Sequence, residues 1–152
     1  TIGTNNNTAG TSISVFNNDV YLCGREIVGT SYIPKYWKNG VSSTLSTTST
    51  RCEANDILVE NNSIYVVGYE ENLANGNYSA RYWKDGVGVN LTDATKDTEA
   101  SGICLGGGGV YICGQEYNQT SGTAIATYWK NGVAKNLTDG SNNAYAIEIR
   151  VQ

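Results

Sequence analysis

The sequence predicts an all-β fold, and three features of its 152 residues support this prediction. No segment places apolar residues at the 3.6-residue spacing of an amphipathic helix. β-Branched residues and the 11 tyrosines are abundant, and both kinds of side chain favour strands. Asn-Gly and Asp-Gly pairs lie between extended apolar runs, which is the strongest short signal for a two-residue β-hairpin.

A repeat organises the chain. The phrase Tyr-Trp-Lys-Asn/Asp-Gly-Val occurs three times with a spacing of 46 residues, and its tryptophans are Trp37, Trp83 and Trp129. Self-similarity at a fixed period of this size is typical of repeat architectures. The three copies span residues 10–53, 54–99 and 100–145, and the first copy is two residues shorter. Residues 146–152 match the opening of a copy, so we expect them to form the first strand of a further one.

Four short strands are predicted in each copy. In the second copy they are residues 56–60, 63–69, 79–84 and 87–91. The turns between them are marked in order by Asn61-Asn62, by Asn75-Gly76-Asn77 and by Asp85-Gly86. If Asn61-Asn62 closes an antiparallel hairpin, Ile57 lies opposite Val66, Leu58 opposite Tyr65 and Val59 opposite Ile64.

The alternation of side chains predicts how these sheets are covered. One face of the hairpin carries Ile57, Val59, Ile64 and Val66, and the other carries Leu58, Tyr65 and Val67. Because both faces are apolar, each small sheet needs a neighbour on both sides. A β-propeller blade meets this requirement, so we predict three four-stranded blades plus one extra strand. Three four-stranded units in 152 residues also fit a β-trefoil, which remains the alternative.

Composition excludes several classes of function. The sequence contains no histidine, which rules out Ser-His-Asp and Cys-His catalysis and removes a usual zinc ligand. The net charge of −4 argues against a nucleic-acid partner, which requires clustered lysine and arginine. The longest apolar runs are far shorter than a membrane span. We therefore expect no metal, no cofactor, no nucleic-acid partner and no membrane-spanning segment.

Each copy runs through Ala-x-x-Ile-x-Val, Val-Tyr-Val-x-Gly-x-Glu, Ala-x-Tyr-Trp-Lys-Asn-Gly and Asn-Leu-Thr, with small variations. This unit resembles the blades of secreted or surface-anchored bacterial β-propeller repeat proteins. In shape it is similar to kelch and WD40 blades, although their signature motifs are not present. The resemblance implies a propeller fold and an extracellular or cell-surface location, and it implies no activity, because fold does not determine function.

Two kinds of residue recur in every copy and are candidates for ligand binding. They are the glutamates Glu26, Glu70 and Glu116 and the tryptophans Trp37, Trp83 and Trp129. Carboxylates bind sugar hydroxyls and aromatic rings stack on pyranose rings, so each blade could hold one sugar. The alternative is structural, since repeated packing residues are expected in any repeat. Under it, the tryptophans pack against the neighbouring blade, and the glutamates form cross-strand ion pairs with Lys38, Lys84 and Lys130.

The four cysteines and the glycine run at residues 106–109 are interpreted as structural. Cys23 and Cys113 occupy equivalent positions, and Val67 holds that position in the second copy. The position therefore accepts a small apolar side chain, and we expect buried free thiols. The glycine run lies where the other copies have a hairpin turn, and no Gly-Lys-Ser/Thr follows it, so we expect a loose turn.

These observations predict a non-enzymatic binding or scaffold module. Three blades do not close a propeller, so the ring is completed by self-association or by further blades of a longer chain. A chain that begins at Thr1 without a leader pattern suggests a processed form or a fragment. The alternative function is a multivalent lectin with one weak site per blade. Glycans and surface proteins are therefore the expected partners, and a piece of a propeller hydrolase is the remaining enzymatic hypothesis.

Overall fold

The structure is a computed structural model that describes residues 7–48 and 50–151. The described residues form twelve strands and no helix. Strands β1 to β4 are Asn7–Phe16, Asp19–Val28, Ser31–Lys38 and Val41–Thr44. Strands β5 to β8 are Cys52–Glu60, Ser63–Glu71, Tyr78–Lys84 and Val87–Asn90. Strands β9 to β12 are Thr98–Gly106, Gly109–Tyr117, Ala124–Lys130 and Val133–Asn136.

The strands form three antiparallel sheets of four strands, each in chain order. Sheet 1 contains β1 to β4, sheet 2 contains β5 to β8, and sheet 3 contains β9 to β12. The predicted all-β class and the three four-stranded units are thus confirmed. Within the described residues no ladder joins one sheet to another, and Tyr32 and Arg51 form only an isolated bridge. The sheets therefore do not form the common barrel that the trefoil alternative requires.

The hairpin register predicted for the second copy is confirmed. Ile57 lies opposite Val66, and Leu58 lies opposite Tyr65. Strand β5 nevertheless begins at Cys52 rather than at residue 56, because the register shifts at a β-bulge between Ala54 and Asp56. Strict alternation of side chains predicts a strand only as far as such a bulge. Beyond it the extra residue moves each side chain to the opposite face of the sheet.

The turns between the last two strands of each sheet explain the repeated Asn/Asp-Gly pair. All six turn residues have φ between 50° and 87°, which the two-residue type I′ hairpin requires. The side chain of the first residue in each turn also accepts a hydrogen bond from a backbone N–H near the start of the second strand of the same sheet. The donors to Asn39, Asp85 and Asn131 are Val20, Ile64 and Val110, at 2.8–2.9 Å.

The core lies in the two gaps between consecutive sheets. Strand β5 contacts strands β1, β2 and β3, and strand β9 contacts strands β5, β6 and β7. In the first gap Trp83 packs in one cluster with Tyr21 and Cys23 of sheet 1. In the second gap Trp129 packs in one cluster with Tyr65 of sheet 2. Each of these tryptophans therefore packs against the preceding sheet, as the structural interpretation predicted.

Asp56 links all three sheets through hydrogen bonds. Its carboxylate accepts a hydrogen bond from the hydroxyl of Ser12 in sheet 1 at 2.6 Å. It accepts another from the backbone N–H of Ile103 in sheet 3 at 2.9 Å. The equivalent residues are Ser12 in sheet 1 and Gly102 in sheet 3, so the other copies have no carboxylate there. The first strands of the sheets are therefore adjacent, and one side chain fixes their relative position.

The residues after sheet 3 lie along β9. A Cβ atom added to Gly106 would lie 2.5 Å from the side chain of Val151, and one added to Gly102 would lie 3.3 Å from the Cα of Glu148. Residues 146–151 form no ladder with the described part of the chain. Their assignment as the first strand of a further copy stays a prediction, and Gln152 lies outside the described residues.

Candidate functional site

Glu70 is the most enclosed of the three candidate glutamates. It is only 8% exposed, near the end of β6. Its carboxylate accepts hydrogen bonds from the hydroxyls of Ser46, at 2.6 Å, and Thr48, and it forms an ion pair with Nε of Arg81 at 3.0 Å. These contacts join the segment after sheet 1 to sheet 2, because Ser46 and Thr48 precede β5.

The glutamates are paired with cations, but not with the predicted lysines. Glu26 pairs with Lys35, Glu70 with Arg81, and Glu116 with Lys96 at 3.7 Å. The predicted pairing was wrong because the antiparallel register places Lys38, Lys84 and Lys130 opposite Tyr21, Tyr65 and Tyr111. Each of these lysines lies over its tyrosine ring, with Nζ 5.2–5.4 Å from the centroid.

A polar cavity of about 280 Å³ opens beside Glu70. Arg81, Asn90 and Asp93 line it together with Ser79. A second cavity, of about 370 Å³, lies beside Glu116 and is lined by Lys96 and Thr98. Both cavities offer carboxylate, hydroxyl and cationic groups, which are suited to binding hydroxyl-bearing ligands. Glu70 and Glu116 therefore lie at cavities.

The three candidate tryptophans are enclosed by protein. Trp37, Trp83 and Trp129 are 3%, 0% and 0% exposed. A ring that stacks on a ligand needs an accessible face, so these rings are placed for packing. Trp83 and Trp129 also have a buried indole Nε1 without a hydrogen-bond partner among the described residues. Their contribution is therefore apolar contact between neighbouring sheets.

A cleft of about 470 Å³ lies between sheets 2 and 3, at the other end of β6 from Glu70. Tyr65 and Tyr82 line one side, and the hairpin at residues 106–109 lines the other. The two rings are nearly parallel, at 20°, with centroids 6.4 Å apart. Burial beside Tyr65 raises the pKa of Tyr82 to about 12, so its hydroxyl stays protonated and can donate a hydrogen bond.

The sequence contained a signal for this cleft that composition alone did not reveal. The hairpin turn is Asn-Asn in the first two copies and Gly-Gly in the third. Gly107 and Gly108 adopt φ of 54° and 74°, close to the 52° and 64° of Asn61 and Asn62. The predicted turn is therefore present and well defined. The interpretation as a loose turn overlooked that these two residues line the cleft without side chains.

The cysteines are free, as predicted, and Cys23, Cys52 and Cys113 are buried. Burial raises the pKa of the Cys23 thiol to about 12 and that of Cys113 to about 11, and it also raises the pKa of Cys52. Cys104 is only half-buried, and its sulfur contacts the backbone of Val151. Since the thiolate is the reactive form, the three buried thiols are expected to be inert at neutral pH.

We expect one of the four thiols to react first with Ellman's reagent in the folded protein at neutral pH. That thiol is Cys104, because it is the most accessible, and all four thiols are expected to react in urea. The measurement is the time course of absorbance, and Cys104→Ser is the matched variant that should remove the early phase. Rapid modification of two or more thiols, or an early phase that survives in Cys104→Ser, would contradict this assignment.

No group of three or more Cys, Asp or Glu side chains within residues 7–48 and 50–151 is arranged to hold a metal ion. The same part of the chain contains no helix long and apolar enough to cross a membrane. No protein-family model matches the chain, and no curated protein matches it either.

Proposed function

We propose that the chain is a non-enzymatic binding or scaffold module in which the three sheets are blades of a β-propeller. The observation that carries this proposal is the exposure of two apolar side chains on β1, the edge strand of sheet 1. Ile13 and Val15 are 61% and 65% exposed, whereas their counterparts in sheet 2, Ile57 and Val59, are 4% and 6% exposed. Sheet 1 covers the counterparts, and an equivalent blade would cover Ile13 and Val15.

The opposite end of the row of blades also supports ring closure. Residues 146–151 lie along β9 as β9 lies along β5, and Ile147 is largely exposed. A propeller needs four to eight blades, so further blades come either from a second copy or from a longer chain. Two copies of three blades give the simplest ring, with six blades. In that ring sheet 1 of one copy follows sheet 3 of the other, and its β1 takes the place along β9 that residues 146–151 hold in the single chain.

The location and the partners of this module follow from its resemblance to surface repeat proteins. We infer an extracellular or cell-surface position, where the ring presents its loops to glycans or surface proteins. The absence of histidine from the sequence supports a role in contact rather than in catalysis. Each blade contributes the same scaffold, and differences between the copies then determine what is bound.

We expect the protein to form a dimer in solution, with twice the mass of the 16.3 kDa chain. Ile13→Glu combined with Val15→Glu is expected to give a monomer, because it places charge in the proposed joint. The measurement is light scattering after size-exclusion chromatography. The matched control is Val41→Glu on β4, which is somewhat more exposed than Ile13 and Val15 and lies outside the joint. A folded wild-type monomer that does not associate as its concentration rises contradicts closure by a second copy.

A lectin with one weak site per blade is the second candidate. The polar cavity beside Glu70 favours it, because a carboxylate, a guanidinium group and an amide converge there. The carboxylate of Glu70 is already bonded to Ser46, Thr48 and Arg81, so a sugar would have to share these partners. This candidate places its ligand at the opposite end of β6 from Tyr65, so variants can separate it from any site in the cleft.

A further inference from the structure

The hairpin of sheet 3 differs from its counterparts because its turn carries no side chains. The equivalent turn is Asn17-Asn18 in sheet 1 and Asn61-Asn62 in sheet 2, and all of these residues have positive φ. Asparagine therefore satisfies the turn in two sheets, and the turn itself does not require glycine. A Cβ atom added to Gly107 or Gly108 would meet no atom within 4 Å. Packing does not require glycine at either position, and both glycines line the cleft without a side chain.

The wall opposite this hairpin presents aromatic surface. Tyr65 is buried beneath the cleft, and Tyr82 is half-buried and lines it. Its ring remains partly accessible at the place where the glycine hairpin leaves space. Flat apolar surface of this kind binds a ligand that presents a flat face of C–H groups, as a pyranose ring does. The volume of about 470 Å³ lies within the usual range for small-ligand sites.

The rim of the cleft carries one charge of each sign. The Glu60 carboxylate accepts hydrogen bonds, the Lys84 ammonium group donates them, and the Asn61 amide does both. An anionic ligand would meet Glu60, and a cationic ligand would meet Lys84. A neutral molecule with many hydroxyl groups satisfies both charged groups, because each hydroxyl can donate and accept. The rim therefore favours a polyol over a charged ligand.

We infer that the cleft between sheets 2 and 3 binds a neutral carbohydrate, with one pyranose ring stacked on Tyr82 and its hydroxyl groups held by Glu60 and Lys84. This inference deepens the proposed binding role and rests on it, but it does not require the ring to be closed. Among the three hairpins only that of sheet 3 has the Gly-Gly turn, so this cleft differs in sequence from the equivalent place between sheets 1 and 2. It is thus distinct from the symmetric glutamate sites of the lectin candidate.

An NMR titration of the ¹⁵N-labelled protein tests this inference. The probes are cellobiose, maltose, lactose and N,N′-diacetylchitobiose, which present different pyranose faces. We expect at least one probe to give saturable shifts of the Gly107 and Gly108 amides. Gly107→Asn combined with Gly108→Asn rebuilds the turn of sheet 2 on a backbone that asparagine already adopts. This variant is expected to stay folded and to lose the shifts.

Two further variants locate the contact. Tyr82→Leu is expected to weaken binding about tenfold through loss of stacking. Its matched control is Tyr36→Leu, the equivalent position in sheet 1, which is expected to bind as the wild type does. Glu70→Gln is likewise expected to leave binding unchanged, because Glu70 lies outside the cleft.

Several results would overturn the assignment. These are no shift with any of the four probes, shifts that are confined to the surroundings of Glu70, and wild-type binding by the double asparagine variant. Solution mass measured on the same samples keeps the two proposals apart. A dimer that binds none of the sugars overturns the cleft assignment and leaves ring closure in place. A monomer that binds a sugar at the cleft overturns closure by a second copy and supports the cleft assignment.

Discussion

Gly68→Ala is expected to destabilise the protein by more than about 3 kcal/mol, because a methyl group has no space at this position. A Cβ atom there would lie 1.9 Å from the backbone oxygen of Glu53 and 2.9 Å from its carbonyl carbon. Both atoms belong to β5, next to the bulge between Ala54 and Asp56. A backbone atom cannot turn aside as a flexible side chain can, so the paired strands would have to separate.

Urea unfolding at a fixed protein concentration measures this effect, since any self-association makes stability depend on concentration. The matched control is Gly76→Ala, which changes a glycine with φ of 76° and open space around its Cβ position. That variant bears only the strain of an alanine in the left-handed region, about 1–2 kcal/mol. Gly68→Ala as stable as Gly76→Ala would show that the strands yield at the bulge.

The equivalent glycines in the other sheets make the same close approach. A Cβ atom at Gly24 or Gly114 would lie 1.9 Å from the backbone oxygen of Ala9 or Glu99. The sequence showed that this glycine recurs, but it did not show why. The reason is a contact between two strands across a bulge, and a bulge has no reliable local signal. Turn residues and side-chain alternation do have such signals, which is why the strands and their register were predictable.

The candidate sites were less predictable for the same physical reason. The partner of Glu70 depends on the register between β6 and β7, which are joined by a long loop. That register places Lys84 opposite Tyr65 and Arg81 opposite Gly68, so Arg81 and not Lys84 pairs with Glu70. The cleft depends on where two separate sheets meet. Its residues Tyr82 and Gly107 are far apart in the chain, and each looks purely structural within its own copy. Only comparison of the copies reveals that the third hairpin has lost its side chains.

The copies differ where the sheets meet. Asp56 occupies a position held by Ser12 and Gly102 in the other copies, and it bonds to both neighbouring sheets. Gly107 and Gly108 replace a pair of asparagines and line the cleft. A repeat preserves its packing residues in every copy, so a residue that departs from the pattern without loss of packing is a candidate for a special role. The cleft is therefore a better candidate for a specific site than the repeated glutamates.

Trp83→Ala is expected to cost about 3–5 kcal/mol of unfolding free energy, the range measured when large aromatic side chains are removed from cores. The ring is fully buried in the gap between sheets 1 and 2, in one cluster with Tyr21 and Val59. Its removal leaves a cavity between sheets 1 and 2. The only covalent connection between these sheets is the segment from β4 to β5. The loss is expected to lower cooperativity as well, because sheet 1 then has less contact with sheet 2.

Trp83→Phe distinguishes lost contact area from a lost hydrogen bond. The buried indole Nε1 has no partner among the described residues, so its removal forfeits no hydrogen bond. The phenylalanine variant is therefore expected to lose clearly less stability than the alanine variant in urea unfolding. Val89→Ala on the exposed strand β8 is the control and is expected to remain within about 0.5 kcal/mol of the wild type. Equal losses in the alanine and phenylalanine variants would mean that the indole N–H, and not the ring area, holds the sheets together.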